Sequence, residues 1–116
     1  MARLRVGIDL VSISTVARLT TEPSFVARAF HPTEVVDGRV EHLAGVLAAK
    51  EAFFKAVGVA PDWLAVEVLA SPAGRPALRL GESLDHLPLR DVDVTISHEG
   101  EYALAAVVLL LDEPPS

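Results

Sequence analysis

The stretch Val40-Glu41-His42-Leu43-Ala44-Gly45-Val46-Leu47-Ala48-Ala49-Lys50-Glu51-Ala52-Phe53-Phe54-Lys55-Ala56-Val57, closed by Gly58, decides the fold class. Five of its positions are alanine, the strongest helix former, and a glycine follows where a helix ends most readily. The spacing predicts one long helix over 40–57. Leu43, Leu47, Phe54 and Val57 fall on one stripe, as a core-facing side requires. Ala44, Ala48, Glu51 and Lys55 fall on another, two small residues followed by a carboxylate and an ammonium. On an ordinary surface helix such a Glu–Lys pair contributes only about 0.2–0.5 kcal/mol. Here the helix is apolar on its other sides, so the pair reads as partly enclosed, with small residues behind it that admit another backbone or a ligand.

Before this helix, residues 3–8 alternate as a strand does, and Asp9 stands at the strand's end. Gly7 beside it permits close backbone approach. Ser12 or Ser14 caps a helix over roughly 14–20, along which Ile13, Val16 and Leu19 share a side. Glu22-Pro23-Ser24 breaks it, a short helix covers Phe25 to Phe30, and Pro32-Thr33-Glu34 opens a further turn. After Pro61 come strands over Trp63–Leu69 and Ala77–Leu80, punctuated by the turn Gly74-Arg75-Pro76. A helix-and-loop over Gly81–Leu89 leads to a strand over Val92–Ser97, with Val92, Val94, Ile96 and His98 on one face. His98-Glu99-Gly100-Glu101 reads as a hairpin turn and Tyr102–Leu111 as a buried returning strand. Asp112–Ser116 is a polar, Pro-rich tail. Together these predict a single α+β domain over 1–116, a small antiparallel sheet packed on a long helix.

The chain has 116 residues, is 51% hydrophobic and carries a net charge of −6. A nucleic-acid binder needs a basic surface, so that class is excluded. The absence of cysteine removes disulfides, thiol nucleophiles and zinc-finger ligands, and nothing points to an oxidising compartment. The longest apolar run, Tyr102–Leu111, is too short to span a bilayer, and the N-terminus reads as a strand instead of a signal peptide. The expectation is a cytoplasmic protein without membrane association. Charge is uneven: residues 1–31 hold Arg3, Arg5, Arg18 and Arg28 against only Asp9 and Glu22, and the remainder is strongly acidic.

Asp9 and Glu51, carboxylates from separate elements, are candidate magnesium ligands. Mg²⁺ commonly takes one or two protein carboxylates and completes its octahedron with water and phosphate oxygens. Lys55, one turn on, can reach the same phosphates as a point charge. His98, with Ser97 before it, is a candidate phosphate contact at a strand end. A Ser-His hydrolase arrangement fails, because adjacent strand residues point to opposite faces and no G-x-S-x-G elbow exists. No dinucleotide or P-loop glycine motif occurs either.

In this order, Gly7-Ile8-Asp9-Leu10-Val11, Leu43-Ala44-Gly45, Ala48-Ala49-Lys50-Glu51-Ala52-Phe53-Phe54-Lys55-Ala56, Gly74-Arg75-Pro76, and Ile96-Ser97-His98 with Tyr102-Ala103 resemble the holo-acyl-carrier-protein synthase branch of the 4'-phosphopantetheinyl transferases. The resemblance covers nearly the whole chain. It implies a homotrimer with active sites at the subunit interfaces. It implies Mg²⁺-dependent transfer of the phosphopantetheine arm of coenzyme A to a serine of an acyl or peptidyl carrier protein, in fatty-acid or polyketide biosynthesis, releasing 3',5'-ADP. Carried over, Asp9 and Glu51 bind Mg²⁺, Lys55 holds the pyrophosphate, and His98 contacts the 3'-phosphate; Glu51, or a metal-bound water beside it, is the candidate base. Ser97 belongs with His98, and Arg75 and Pro76 lie near the nucleotide from a neighbouring chain. The arginine excess before residue 32 fits docking of an acidic carrier.

The chain departs from the family pattern at three places. Val46-Leu47 stands where the pattern has Arg-Phe, Val59-Ala60-Pro61 where it has a Gly-x-Gly loop, and Thr15 where an arginine is common. Two alternatives share the fold: an enzyme diverged toward another carrier-bound or coenzyme A-linked substrate, and a non-catalytic trimer that binds a carrier protein.

Overall fold

The computed structural model describes residues 1–35 and 37–112; the polar tail expected beyond Asp112 lies outside them. The elements run β1 (Ala2–Ser12), α1 (Ile13–Leu19), α2 (Pro23–Ala29), a 3-10 turn at Pro32–Glu34, α3 (Val40–Val57), a 3-10 turn at Trp63–Ala65, β2 (Val66–Ala70), β3 (Pro76–Leu80), a 3-10 turn at Glu82–Leu84, β4 (Leu89–Glu99) and β5 (Tyr102–Asp112). Helix α3 covers the residues its alanines predict, and Gly58 ends it at φ 91°, a conformation glycine adopts without strain. Several boundaries differ from expectation: β1 continues to Ser12, so Asp9 lies within the strand instead of at its end, and β4 extends from Leu89 to Glu99. Pro23 opens α2 instead of only breaking α1, because its fixed φ and missing N–H suit the first helical position. Trp63–Ala65 winds as a 3-10 turn, so the strand expected from Trp63 begins only at Val66.

Two antiparallel sheets form where one was expected: a three-stranded sheet in the order β1-β5-β4 and the hairpin β2-β3. β1 and β5 pair along their whole lengths, from Ala2 opposite Asp112 to Ser12 opposite Tyr102. Ala103, Ala105, Val107, Leu109 and Leu111 of β5 are buried on the face that meets α3. On the other side of α3, Val16 of α1 and Phe25, Ala29 and Phe30 pack with Leu43, Ala44, Val46 and Leu47. The helix is thus buried nearly all round, and the two-stripe reading fails in one respect. Ala44 and Ala48 lie within the two cores and admit the chain's own elements, leaving no opening behind the charged pair.

Gly7 sets how closely β1 lies on α3. A Cβ at this position would stand 1.9 Å from the Ala52 carbonyl oxygen and 2.7 Å from the Ala56 nitrogen, so no other residue fits without moving the helix. A second glycine, Gly45, does the same for β4. A Cβ there would meet Ile96 Cγ2 at 2.9 Å and His98 Nε2 at 3.1 Å. These two approaches bring Asp9 and His98 to α3.

The other face of the three-stranded sheet is bare. Leu4, Val6, Ile8 and Leu10 of β1 are 55–68% exposed, and Tyr102 and Val108 of β5 accompany them. Among the described residues, no helix is long and apolar enough to cross a membrane.

Candidate functional site

Asp9 projects from β1 toward the last turns of α3, where Lys55 Nζ stands 2.7 Å from Asp9 Oδ1 and donates a second hydrogen bond to the Ile8 carbonyl at 3.2 Å. The carboxylate is largely covered and the ammonium is open to solvent. Glu51 lies one turn before Lys55 on the same helix and is half-buried. Its Oε1 accepts a hydrogen bond from the Trp63 indole nitrogen at 3.2 Å. The i,i+4 pair expected between Glu51 and Lys55 is therefore replaced by two longer-range partnerships: Lys55 turns to the strand and Glu51 to the 3-10 turn. The physical reason is proximity. Gly7 lets β1 press on α3 and offers Lys55 a carboxylate and a carbonyl together, which a lone neighbour on its own helix does not.

Asp9 and Glu51 are hard oxygen donors, and Lys55 adds one positive charge beside them. No cluster of three or more His, Cys, Asp or Glu side chains occurs among the described residues. The donor set fits magnesium, which keeps several waters and shares phosphate oxygens, and does not fit an all-protein cage.

His98 lies at the other end of the site, its ring Nε2 2.8 Å from the Glu41 carbonyl oxygen in the first turn of α3. If Nε2 carries the proton for that bond, the other ring nitrogen is left to a ligand. His98 lines a groove of about 250 Å³ with His42, Gly45, Val46, Gly74 and Pro76 among its walls. The turn residues Gly74 and Pro76 thus join His98 within one chain. Val46 is buried at 1% exposure and forms part of the groove wall, so the residue at this family-pattern position does face the groove. Among the described residues the groove's walls carry two histidines and no lysine, arginine or carboxylate.

Two candidates fall elsewhere. Ser97 pairs with Leu104 in the register and so points to the bare sheet face, opposite His98. Arg75 is exposed and reaches Asp93 Oδ2 at 2.7 Å on the same outer side. That guanidinium, followed by the Val94 N–H, holds the Asp93 carboxyl below its ordinary value.

The sequence reading gave Lys50 no role, yet it is the largest fully buried side chain. Its Nζ donates to Glu34 Oε1 at 2.7 Å and to the Ala29 carbonyl at 2.8 Å, and it lies 5.6 Å from the centre of the Phe30 ring. Glu34 accepts two further hydrogen bonds, from the backbone nitrogens of His31 and Val68, both at 2.7 Å. Burial lowers the Lys50 pKa and Glu34 opposes that shift. The pair ties α2, the 31–34 turn and β2 to the residue next to Glu51. Nearby, the Thr33 hydroxyl and then Arg79 hold the Glu67 carboxyl below its ordinary value.

The fold agrees with the comparisons with known proteins. The family model of the 4'-phosphopantetheinyl transferase superfamily matches residues 5–107. A holo-[acyl-carrier-protein] synthase of Campylobacter hominis is 35% identical over 118 residues, covering 90% of this chain and 95% of the relative. Another from Geobacter sulfurreducens is 39% identical, covering 89% of this chain and 94% of the relative. The crystal structure of Helicobacter pylori holo-[acyl-carrier-protein] synthase in complex with coenzyme A superposes with a TM-score of 0.82 at 30% identity, over 90% of this chain and 98% of that one. With a match of this extent in both sequence and fold, the chain belongs to the 4'-phosphopantetheinyl transferase superfamily and is a transferase.

Proposed function

We propose that this chain is a holo-acyl-carrier-protein synthase, acting in the cytoplasm on coenzyme A and an apo acyl or peptidyl carrier protein. The observation that carries the proposal is the contact of Asp9 with Lys55 where β1 crosses the end of α3, Lys55 Nζ standing 2.7 Å from Asp9 Oδ1 and Glu51 lying one helical turn before Lys55. The names of the relatives and the coenzyme A complex of the Helicobacter pylori enzyme support the substrate pair.

In this reading Asp9 and Glu51 hold Mg²⁺, which when bound supplies charge neutralisation at the pyrophosphate. Lys55 exchanges its contact with Asp9 for a pyrophosphate oxygen, a short move for an ammonium that is already open to solvent. His98 receives the 3'-phosphate in the groove beside α3. The carrier serine Oγ bonds to the phosphorus of the pantetheine phosphate, and the bond from that phosphorus to the bridging oxygen breaks. The electron pair leaves with 3',5'-ADP, and the serine proton passes to Glu51 or to a water beside it. Phosphoryl transfer depends chiefly on such positioning and charge stabilisation.

The bare apolar face of β1 supports the homotrimer. Leu4, Val6, Ile8 and Leu10 form a continuous exposed row, and rows of this kind mark protein–protein contact in soluble proteins. Arg75 stands on the same outer side, where it can reach a neighbouring subunit's nucleotide. The test is incubation with coenzyme A, Mg²⁺ and a panel of apo carrier proteins, with mass spectrometry for addition of one phosphopantetheine group. No modification of any carrier refutes the reading. Sedimentation giving an active monomer refutes the trimer alone.

A further inference from the structure

We infer that Trp63 is a positioning residue for Glu51, holding the carboxylate in the orientation that receives the divalent cation. The inference rests on the reading of Glu51 as a metal ligand and goes beyond it, to a residue outside the motifs that carry the family resemblance.

Trp63 opens the 3-10 turn after α3, and that turn is closed by the Ala65 N–H donating to the Asp62 carbonyl at 3.0 Å. Its ring stands edge-on to Phe25 at 5.8 Å and 66°, and Phe25 stands edge-on to Phe30 at 6.2 Å. Lys50 caps the Phe30 ring. The indole is therefore fixed by an aromatic row whose far end is the buried lysine next to Glu51. Trp63 is half-buried, and water or a backbone carbonyl would satisfy its indole N–H. Here its partner is Glu51 Oε1 at 3.2 Å, a carboxylate one helical turn before the Lys55 that meets Asp9.

The consequence is physical. A glutamate side chain has several rotatable bonds, and holding it in one rotamer for a ligand costs conformational entropy. A donor on one oxygen fixes the plane of the carboxylate and leaves Oε2 for the cation. Hydrogen bonds of this outer kind change metal affinity by roughly 10–100-fold when removed. Lys55 cannot serve in its place, because it is turned to Asp9 and Ile8.

The chain contains a single tryptophan, so replacing tryptophan throughout alters position 63 alone. Substituting β-(3-benzothienyl)alanine exchanges the indole N–H for sulfur while keeping the ring shape and its contact with Phe25. Mn²⁺ is titrated into the full chain with coenzyme A present, and free Mn²⁺ is read by electron paramagnetic resonance. The expected result is Mn²⁺ binding at least tenfold weaker than in the natural chain, with thermal unfolding little changed. Trp63→Phe is expected to weaken it similarly. In the natural chain, Mg²⁺ is expected to change the indole emission saturably, and Glu51→Gln to abolish that change. Equal Mn²⁺ affinity in the benzothienyl protein overturns the role of Trp63 while leaving the metal site intact. Absence of Mn²⁺ binding in the natural chain, or undiminished binding in Glu51→Gln, overturns the metal reading itself and this inference with it.

Discussion

Replacing Lys50 by methionine tests whether the buried ion pair holds the molecule together. Methionine keeps the volume and the unbranched stem, so no cavity opens and packing changes little. What is lost is the ammonium, with its bonds to Glu34 Oε1 and the Ala29 carbonyl. Glu34 remains fully buried, with two backbone N–H donors and no positive charge beside it. Breaking a buried pair from one side costs about 3–5 kcal/mol, a large share of the roughly 5–15 kcal/mol that stabilises a domain. At about 4 °C per kcal/mol for a chain of this size, Lys50→Met should melt about 12–20 °C lower. Glu34→Gln should cost a similar amount by stranding the ammonium, and the double variant should cost clearly less than the sum. Urea titration at fixed protein concentration measures all three, with a constant slope as the control. The pH dependence adds a signed test. The fold lowers the Lys50 pKa from 10.5, so just below that value the unfolded chain binds more protons and stability rises with pH. Lys50→Met should remove this rise. A variant within about 1 kcal/mol of the natural chain would refute the reasoning, since buried pairs can be energetically neutral against apolar replacements.

Asp9→Asn and Glu51→Gln should each abolish phosphopantetheine transfer while leaving thermal unfolding within a few degrees, measured by mass spectrometry of the carrier and by calorimetry; turnover surviving EDTA would remove the two-carboxylate site. Val46→Arg should tighten 3',5'-ADP binding about tenfold, because a charge-assisted bond to phosphate contributes roughly 1.5–3 kcal/mol and part is offset by overpacking a buried site. The same change should leave dephospho-coenzyme A nearly unaffected in calorimetric titration. Glu67→Gln should flatten the acid limb of stability. The folded-state pKa of Glu67 lies below 4.5, so its contribution is present above that value and is lost as pH falls through the folded-state pKa. Acid titrations of the two proteins that run parallel would contradict this.

The parts legible in the sequence are those with local causes. Helix α3 was bounded at Val40 and Val57 because alanine content and the glycine stop act within a few residues. The inward row Val92, Val94, Ile96 and His98 followed from strand alternation and matches the register with β5. Strand β1 runs to Ser12, beyond the Ile8 that alternation gave, because pairing with β5 extends it, and that partner lies at the far end of the chain. Lys50 sat between Ala49 and Glu51 like any solvated lysine. Only the two-sided covering of α3, and a glutamate sixteen residues earlier, make it a core residue. Trp63 was read as the start of a strand, since nothing local marks an indole that reaches back to Glu51. Asp9 and Lys55 stand out in the sequence as charged residues beside apolar runs, but their contact depends on Gly7 pressing strand to helix.

The pairing of β1 with β5 joins the first residues of the chain to the last ones described, Ala2 opposite Asp112. During synthesis β1 waits for a strand that follows every other described element. Its row of Leu4, Val6, Ile8 and Leu10 meanwhile has neither sheet nor neighbour. Contacts of such long sequence separation slow folding and prolong the exposure of unpaired strand. A chain cut short within β5 leaves that row without a partner strand beside it. The same adjacency makes the two ends convenient to splice. A circular permutant with a short linker across them, reopened in the turn at Gly74, would place β1 and β5 together early and should fold faster.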